Sequence, residues 1–131
     1  MKSDGAIKTD IYRHIKGSDL AKSVSGKLSK TVRPKSKPLQ EDIVISIVSN
    51  QGIQLQTAVL NVNIYTQDNE IDGQFEENTL RVDELCSLSW SLLESFRTDE
   101  YHAHAIEQRV YQTDSGEHII NNQVEYKLIN G

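Results

Sequence analysis

The sequence predicts an α+β fold in which two main helices pack on a mostly antiparallel sheet of about five strands, in the order αβββαββ. Apolar residues recur every three or four positions in two segments, which is the helical period, and they alternate or run together in the others. The strands fall in runs instead of alternating with helices, which favours hairpins over parallel units. A chain of 131 residues has the length of one domain, and we assign residues 1–131 to it.

The first helix is predicted over residues 6–16. Ile7, Ile11 and Ile15 are spaced four apart and therefore share one helical face. Ser18 follows and predicts the cap of a short second helical turn.

The second main helix is predicted over residues 79–96. Its apolar face carries residues at helical spacing, namely Leu85, Leu88, Leu92 and Phe96. Asn78 or Thr79 is expected to cap its start. The apolar face is wide, so we expect this helix to be covered from more than one direction.

Three strands are predicted between the helices, at residues 27–32, 43–48 and 53–66. Pro34 and Pro38 end the first strand, because proline donates no ladder hydrogen bond. The second strand is apolar on both faces, which predicts a buried central strand that pairs with the third as a hairpin. The third changes its apolar face between Val59 and Leu60, which predicts either a bulge there or a strand that passes from covering one layer to another.

Two further strands, residues 101–112 and 117–129, alternate and are joined by the turn sequence TDSG, so they predict a second hairpin. We expect its apolar side chains to face the core: Ile106, Val110, Val124, Tyr126 and Leu128. The segment 67–78 is acidic, polar and glycine-containing, and it is interpreted as a long loop.

Charge is divided unevenly along the chain, whose formal net charge is −5. Residues 1–40 carry ten Lys/Arg and three Asp, a balance of +7, whereas residues 41–131 carry four Lys/Arg and sixteen Asp/Glu, a balance of −12. The acidic total argues against generic nucleic-acid binding. The division predicts a basic helix-and-loop region and an acidic sheet-and-helix region, which either attract each other within one chain or join neighbouring copies.

Cellular location is predicted from three features. Cys86 is the single cysteine, so an intrachain disulfide is excluded and a reducing compartment is favoured. The first residues lack the apolar run of a signal peptide, and the longest apolar runs are too short for a membrane span. We therefore expect a soluble cytoplasmic protein without a membrane partner.

His102 and His104 form an H-x-H pair on one strand face, a spacing that ligates metals in some proteins. His118 is too far along the hairpin to be the third ligand, at roughly 23 Å from His104 for a rise of ~3.3 Å per residue. Acidic ligands from segment 67–78 would have to complete a site, so a small metal-dependent enzyme is an alternative and two surface histidines are the simpler interpretation.

Other chemistry is not indicated. Cys86 lies on an apolar helical stripe, where cysteine is usually buried filler. The sequence lacks a glycine-rich phosphate loop and the GxSxG and HExxH motifs. We predict no catalytic residue, no cofactor and no metal.

Interaction is the better-supported role. The stretch KTVRPKSKPLQED places cations and two stiff prolines before the central strand, without the aromatic residues that would stack on bases. These cations could meet an acidic protein surface or a DNA backbone. The candidate interface residues are Arg33, Lys35, Lys37, Asp68, Glu70, Asp72, Glu76, Glu77 and Trp90.

The order of these segments resembles the small tail-completion or tail-terminator proteins of long-tailed bacteriophages and prophages. The resemblance rests on IYRHIKGSDLAKSVSGKL before the loop RPKSKPLQED, on DIVISIV, on a strand that ends VNVNIY, and on the terminal hairpin EQRVYQ with NQVEYKLIN. It covers most of the chain as a pattern and carries no catalytic motif.

The resemblance implies an α+β subunit that assembles with itself into a ring, typically of six, at the head-proximal end of a phage tail tube. Such a ring ends tail polymerisation, contacts tail-tube and head-connector proteins, and has no enzymatic activity. The protein would then occur in the host cytoplasm during assembly and in the tail or neck of the virion. Two non-catalytic alternatives are another head-tail connector or head-closure protein, and a binding module that uses the exposed hairpin edge.

Overall fold

A six-stranded mixed sheet with helices on one face forms the body of the protein, in a computed structural model that describes residues 1–52 and 55–129. The α+β class predicted from the sequence is confirmed. The predicted element order is only partly right, because the described residues also contain a second short helix, a sixth strand in the main sheet and a separate two-stranded hairpin.

The helices are α1 (Asp4–Ile15), α2 (Asp19–Ser23) and α3 (Thr79–Leu93). Each begins after a residue whose side chain accepts a hydrogen bond from a backbone N–H of the first turn, and these caps are Ser3, Ser18 and Asn78. The predicted cap at Ser18 is confirmed, and Asn78 caps α3. Helix α3 ends earlier than predicted, so Phe96 belongs to a strand.

The strands of the main sheet are β1 (Leu28–Lys30), β2 (Ile43–Gln51), β3 (Thr57–Gln67), β6 (Phe96–Arg97), β7 (Tyr101–Gln112) and β8 (Glu117–Leu128), and the small hairpin contains β4 (Asn69–Ile71) and β5 (Gln74–Glu76). The order across the main sheet is β1-β2-β3-β8-β7-β6. Strand β1 runs parallel to β2, and the other neighbours are antiparallel. Both predicted long hairpins are confirmed, although the predicted start of the third strand at residues 53 and 54 lies outside the described residues.

The core lies between the helices and one face of the main sheet. Ile7, Ile11 and Ile15 of α1 are fully buried, as their spacing predicts. They meet apolar side chains of the three central strands, including Ile45, Leu60, Val62, Ile64, Ile120, Val124 and Tyr126, which are also fully buried. Burial of an aliphatic side chain of this kind contributes about 1.5–3 kcal/mol, so this face is the principal source of stability.

The other face of the sheet, here called the open face, is polar. Asn121 donates hydrogen bonds to the side chains of Asn61 and Asn63 on the neighbouring strand, at 3.0 and 2.7 Å. The described helices contribute their buried side chains to the core on the opposite side. The open face is therefore available to solvent or to a partner.

Segment 67–78 is a β-hairpin and not the predicted loop. Asp72 and Gly73 have φ angles of 51° and 78°, the left-handed values that a two-residue type I′ turn requires. The Asp-Gly pair at the centre of NEIDGQFE is the signal for this turn. The acidic and polar composition of the segment is typical of a loop, but the Asp-Gly turn allows its short flanking strands to pair.

The predicted bulge lies on the neighbouring strand. Leu60 pairs with Ile47, whereas Val59 pairs with Ser49, so Val48 is the extra residue. The irregularity is opposite the predicted position, but the bulged strand is β2. Val48 is 55% exposed as a result of its place at this break.

Two residues predicted to face the core are exposed instead. Ile106 and Val110 are 45% and 39% exposed, and Ile106 lies at a register shift between Ala105 and Glu107. The core positions of β7 are the ones before this shift, Tyr101, Ala103 and Ala105. The predicted core residues of β8 are confirmed as buried: Val124, Tyr126 and Leu128.

Candidate functional site

The loop between β1 and β2, residues 31–42, is called the basic loop. Its Arg33 points back onto the sheet. The Arg33 Nε donates to Asp42 at 2.8 Å, and the two Nη atoms donate to the two carboxylate oxygens of Glu117 at 2.9 and 2.7 Å. The guanidinium also lies 3.9 Å from the ring centroid of Tyr65, within the range of a cation–π contact.

The Arg33 cluster holds the basic loop in place. The side chains of Asp42 and Glu117 are each only 3% exposed, so their charges need a partner within the chain. The hydrogen bonds to Glu117 raise the pKa of Arg33, and those to Asp42 add to the effect against the opposing effect of burial. The sequence predicts Arg33 as an interface residue, but its charge is paired with Asp42 and Glu117 of its own chain.

Lys35 and Lys37 are exposed on the same loop. They line a cavity of about 550 Å³ together with Pro34, Ser36 and Leu39. The Ser36 hydroxyl oxygen is buried and has no hydrogen-bond partner among the described residues. This cavity combines an apolar wall with two cations.

Residues 68–77 are called the acidic hairpin, and two contacts fix it to the sheet. The Asp68 carboxylate lies 2.6 Å from Nδ1 of His118, and its side chain is 1% exposed. The Phe75 ring lies against the β7–β8 turn, where a Cβ on Gly116 would come within 2.8 Å of it. Glu77 approaches Nε2 of His118 at 3.6 Å. Asp68 and Glu77, both predicted interface residues, thus support the hairpin itself.

The remaining predicted acidic residues, Glu70, Asp72 and Glu76, are exposed on this hairpin. Two apolar residues beside them, Ile71 and Phe75, are each 52% exposed. The register places them on opposite faces of the hairpin, Ile71 beside Gln74 and Phe75 beside Glu70, so each face presents one apolar side chain near carboxylates.

Both sides of the main sheet expose unpaired strand edges. Strand β1 pairs with β2 only along Ile43–Ile45, and β6 pairs with β7 only at His102 and Ala103. In the described part of the chain, residues 46–51 of β2 and residues 104–112 of β7 therefore have no strand partner on their outer side. Free backbone N–H and C=O groups of this kind pair readily with another chain.

The histidine pair has no third side chain placed to complete a metal-ligating cluster with it among the described residues. The rings of His102 and His104 lie 5.8 Å apart on the open face, and the nearest acid to His104 is Glu125 at 3.9 Å. His118 lies on the helix-facing side, bound to Asp68. Within residues 1–52 and 55–129 there is no cluster of three or more His, Cys, Asp or Glu that could hold a metal ion.

Cys86 and Trp90 are half-buried on α3. They line a shallow cavity of about 340 Å³ with Gln108 of β7. Burial raises the pKa of the Cys86 thiol, which lowers the fraction of reactive thiolate. Trp90, a predicted interface residue, is partly covered by its own chain.

A second charged cluster, which the sequence did not indicate, lies at the opposite end of the strands. The Lys2 ammonium contacts Asp10 at 2.7 Å and Glu100 at 2.8 Å. The hydroxyl of the fully buried Tyr126 donates to the same Asp10 carboxylate at 2.8 Å. These residues are far apart in the sequence, and no local pattern relates them.

Comparisons with known proteins leave the family undetermined. No protein-family model matches the sequence, and no curated protein matches it. Among the described helices, none has the length and apolar character needed to cross a membrane.

Proposed function

We propose that this protein is a non-enzymatic structural subunit that forms a closed ring at the end of a phage tail tube, where it ends the tail and joins it to the head connector. The observation that carries the proposal is the pair of free strand edges on opposite sides of one sheet. Two different edges on one molecule allow head-to-tail contacts, and such contacts give rings when the rotation between copies closes.

The strand directions suit this arrangement. Strands β2, β3, β8 and β7 are successive neighbours and antiparallel throughout. Because their number is even, the β2 edge of the next copy would run antiparallel to β7 when a rotation keeps the strand axes roughly aligned. Each added copy would then continue the same alternating sheet.

The two short edge strands favour a stagger. Strand β1 covers the end of β2 that is level with Val110 of β7, while β6 covers the end of β7 that is level with Gln51 of β2. Without displacement, only residues 46–49 of the neighbour's β2 are level with free residues of β7, and a displacement along the strands would let the whole free part of β2 pair. A displacement of this kind accompanies the strand tilt of closed β-structures, about 35–45°.

Edge substitutions test the ring. Ile106→Lys and Val48→Lys place a charge on each free edge at exposed positions, so we expect the fold to persist and assembly to weaken at least about tenfold. Leu80→Lys is the control, because Leu80 is 86% exposed on α3 and away from both edges. Light scattering coupled to size exclusion would measure the mass. A wild-type protein that stays monomeric at all concentrations, or edge variants that assemble normally, would contradict the proposal.

The place in the virion needs a separate test. Deletion of the coding sequence from the phage or prophage is expected to give overlong tails without heads, because nothing would end tail polymerisation. Electron microscopy of lysates would show this. Tails of normal length joined to heads in the deletion lysate would remove the assignment to the tail even if the ring itself forms.

A further inference from the structure

The basic loop carries a preformed recess whose chemistry suits an acidic, apolar-tipped segment. Two hydrogen bonds from Arg33 to Glu117 fix the loop on the sheet, and two more, to Asp42 and the Gln40 carbonyl, brace the loop itself. The recess is thus shaped by the fold before any partner arrives. A site that is organised in advance loses less conformational entropy on binding.

The recess offers two kinds of contact. Pro34 and Leu39 supply apolar wall, and the exposed Lys35 and Lys37 supply positive charge. An occupant should therefore carry both carboxylates and an apolar side chain.

The acidic hairpin of the same protein has these properties. Ile71 is half-exposed on the hairpin face that carries Glu76, and Phe75 is half-exposed on the face that carries Glu70. Asp72 lies in the turn between the two strands. The pairing of Phe75 with the turn at Gly116 holds this hairpin at the β7–β8 side, whereas the recess belongs to the loop between β1 and β2. The structure contains no ion pair between these two segments in the residues it describes.

We propose that the acidic hairpin of one copy docks into the basic-loop recess of the next copy. The occupant is a second copy of this chain, chosen because opposite charge and exposed apolar surface occur on two elements that both lie at the Glu117 end of the strands. This inference rests on the proposed ring and adds a second contact beside the strand edges. Charge complementarity of this kind fixes which surfaces meet.

Reciprocal charge reversal tests the contact. Variant one is Lys35→Glu with Lys37→Glu, and variant two is Glu70→Lys with Glu76→Lys; all four positions are exposed. Each variant alone should assemble at least about tenfold more weakly than wild type, because like charges would meet. An equimolar mixture should recover assembly, since every contact in an alternating arrangement joins opposite charges.

Matched controls carry the same charge change elsewhere. Lys16→Glu with Lys22→Glu, and Asp83→Lys with Glu94→Lys, alter exposed residues outside the recess and the hairpin. Their assembly, measured by sedimentation velocity, should remain within about twofold of wild type. Circular dichroism would show that all variants are folded.

The outcomes separate this inference from the proposed function. If rings form and the charge-reversed variants assemble like wild type, or if the mixture fails to recover, the hairpin contact is wrong while the ring stands. If the wild type is monomeric, the ring is wrong, and a concentration series of NMR spectra decides the contact: linked chemical-shift changes at Leu39 and Phe75 that are absent in variant one support it. Chemical shifts of both residues that stay the same as the protein concentration is raised would overturn the proposed contact.

Discussion

The two ends of the main sheet are each tied together by one cation, but the two cations are buried to different degrees. Arg33 bridges two carboxylates whose side chains are each 3% exposed. Lys2 bridges Asp10, which is 12% exposed, and Glu100, which is 68% exposed. The Arg33 end is thus a buried ionic cluster, whereas the Lys2 end opens to solvent.

This difference changes how the charge division of the sequence is understood. Arg33 belongs to the structure of the free chain, because removing it would leave two buried carboxylates without a counter-ion. The exposed Lys35 and Lys37, two and four residues further on, do not share this constraint. The basic region therefore divides into a structural cation and two cations that remain available to a partner.

Arg33→Met should have the largest effect. It keeps much of the side-chain volume but leaves Asp42 and Glu117 buried without a counter-ion, with neutral donors only from the Lys27 N–H and the Gln67 amide, so we expect the free energy of unfolding to fall by about 3–5 kcal/mol. Urea denaturation would measure this change. Lys35→Met is the matched control, with an expected change within about 0.5 kcal/mol. Equal effects of the two substitutions would show that the Arg33 cluster does not hold the loop.

Lys2→Met should have a smaller effect at the other end. Asp10 retains the hydrogen bond from Tyr126, and Glu100 is well solvated, so we expect a loss of about 1–2 kcal/mol. The same denaturation experiment applies. High salt should reduce the difference between Lys2→Met and wild type, because the Glu100 contact is screened. A loss as large as that of Arg33→Met would contradict the comparison.

Tyr126→Phe should have the smallest effect at neutral pH and a distinct one in alkali. Burial, and then the hydrogen bond to Asp10, raise the pKa of Tyr126 above its ordinary value. The unfolded chain would lose this proton near pH 10 while the folded chain keeps it, so this tyrosine makes wild type less stable only as the pH rises above about 10. In the variant, the free energy of unfolding should decline less above pH 10. Its absorbance titration at the tyrosinate band should also lack the last step, which belongs to Tyr126. An unchanged titration would contradict this assignment.

The parts of the fold that sequence predicted are those encoded by local spacing. Ile7, Ile11 and Ile15 mark α1, and alternation marks both long hairpins, because each pattern relates residues within one element. The pairing of Arg33 with Glu117, 84 residues apart, has no local signal. The parallel pairing of β1 with β2 is likewise set by tertiary contacts.

Only part of the candidate site could be predicted. Charge along the sequence indicated the basic loop and the acidic segment, but it could not distinguish Arg33, which turns inward, from Lys35 and Lys37. The free strand edges depend on how short β1 and β6 are, and element ends are poorly encoded by periodicity. The exposure of Ile106 follows from a bulge that alternation alone does not show.

Hydrogen–deuterium exchange tests the edge pairing most directly. It reports on the backbone amides of residues 46–51 and 104–112, the two free edges, as protein concentration is raised. Our account predicts that both segments become protected together in wild type, and that neither does in Ile106→Lys. Exchange in both segments that stays the same across the whole concentration range would contradict it.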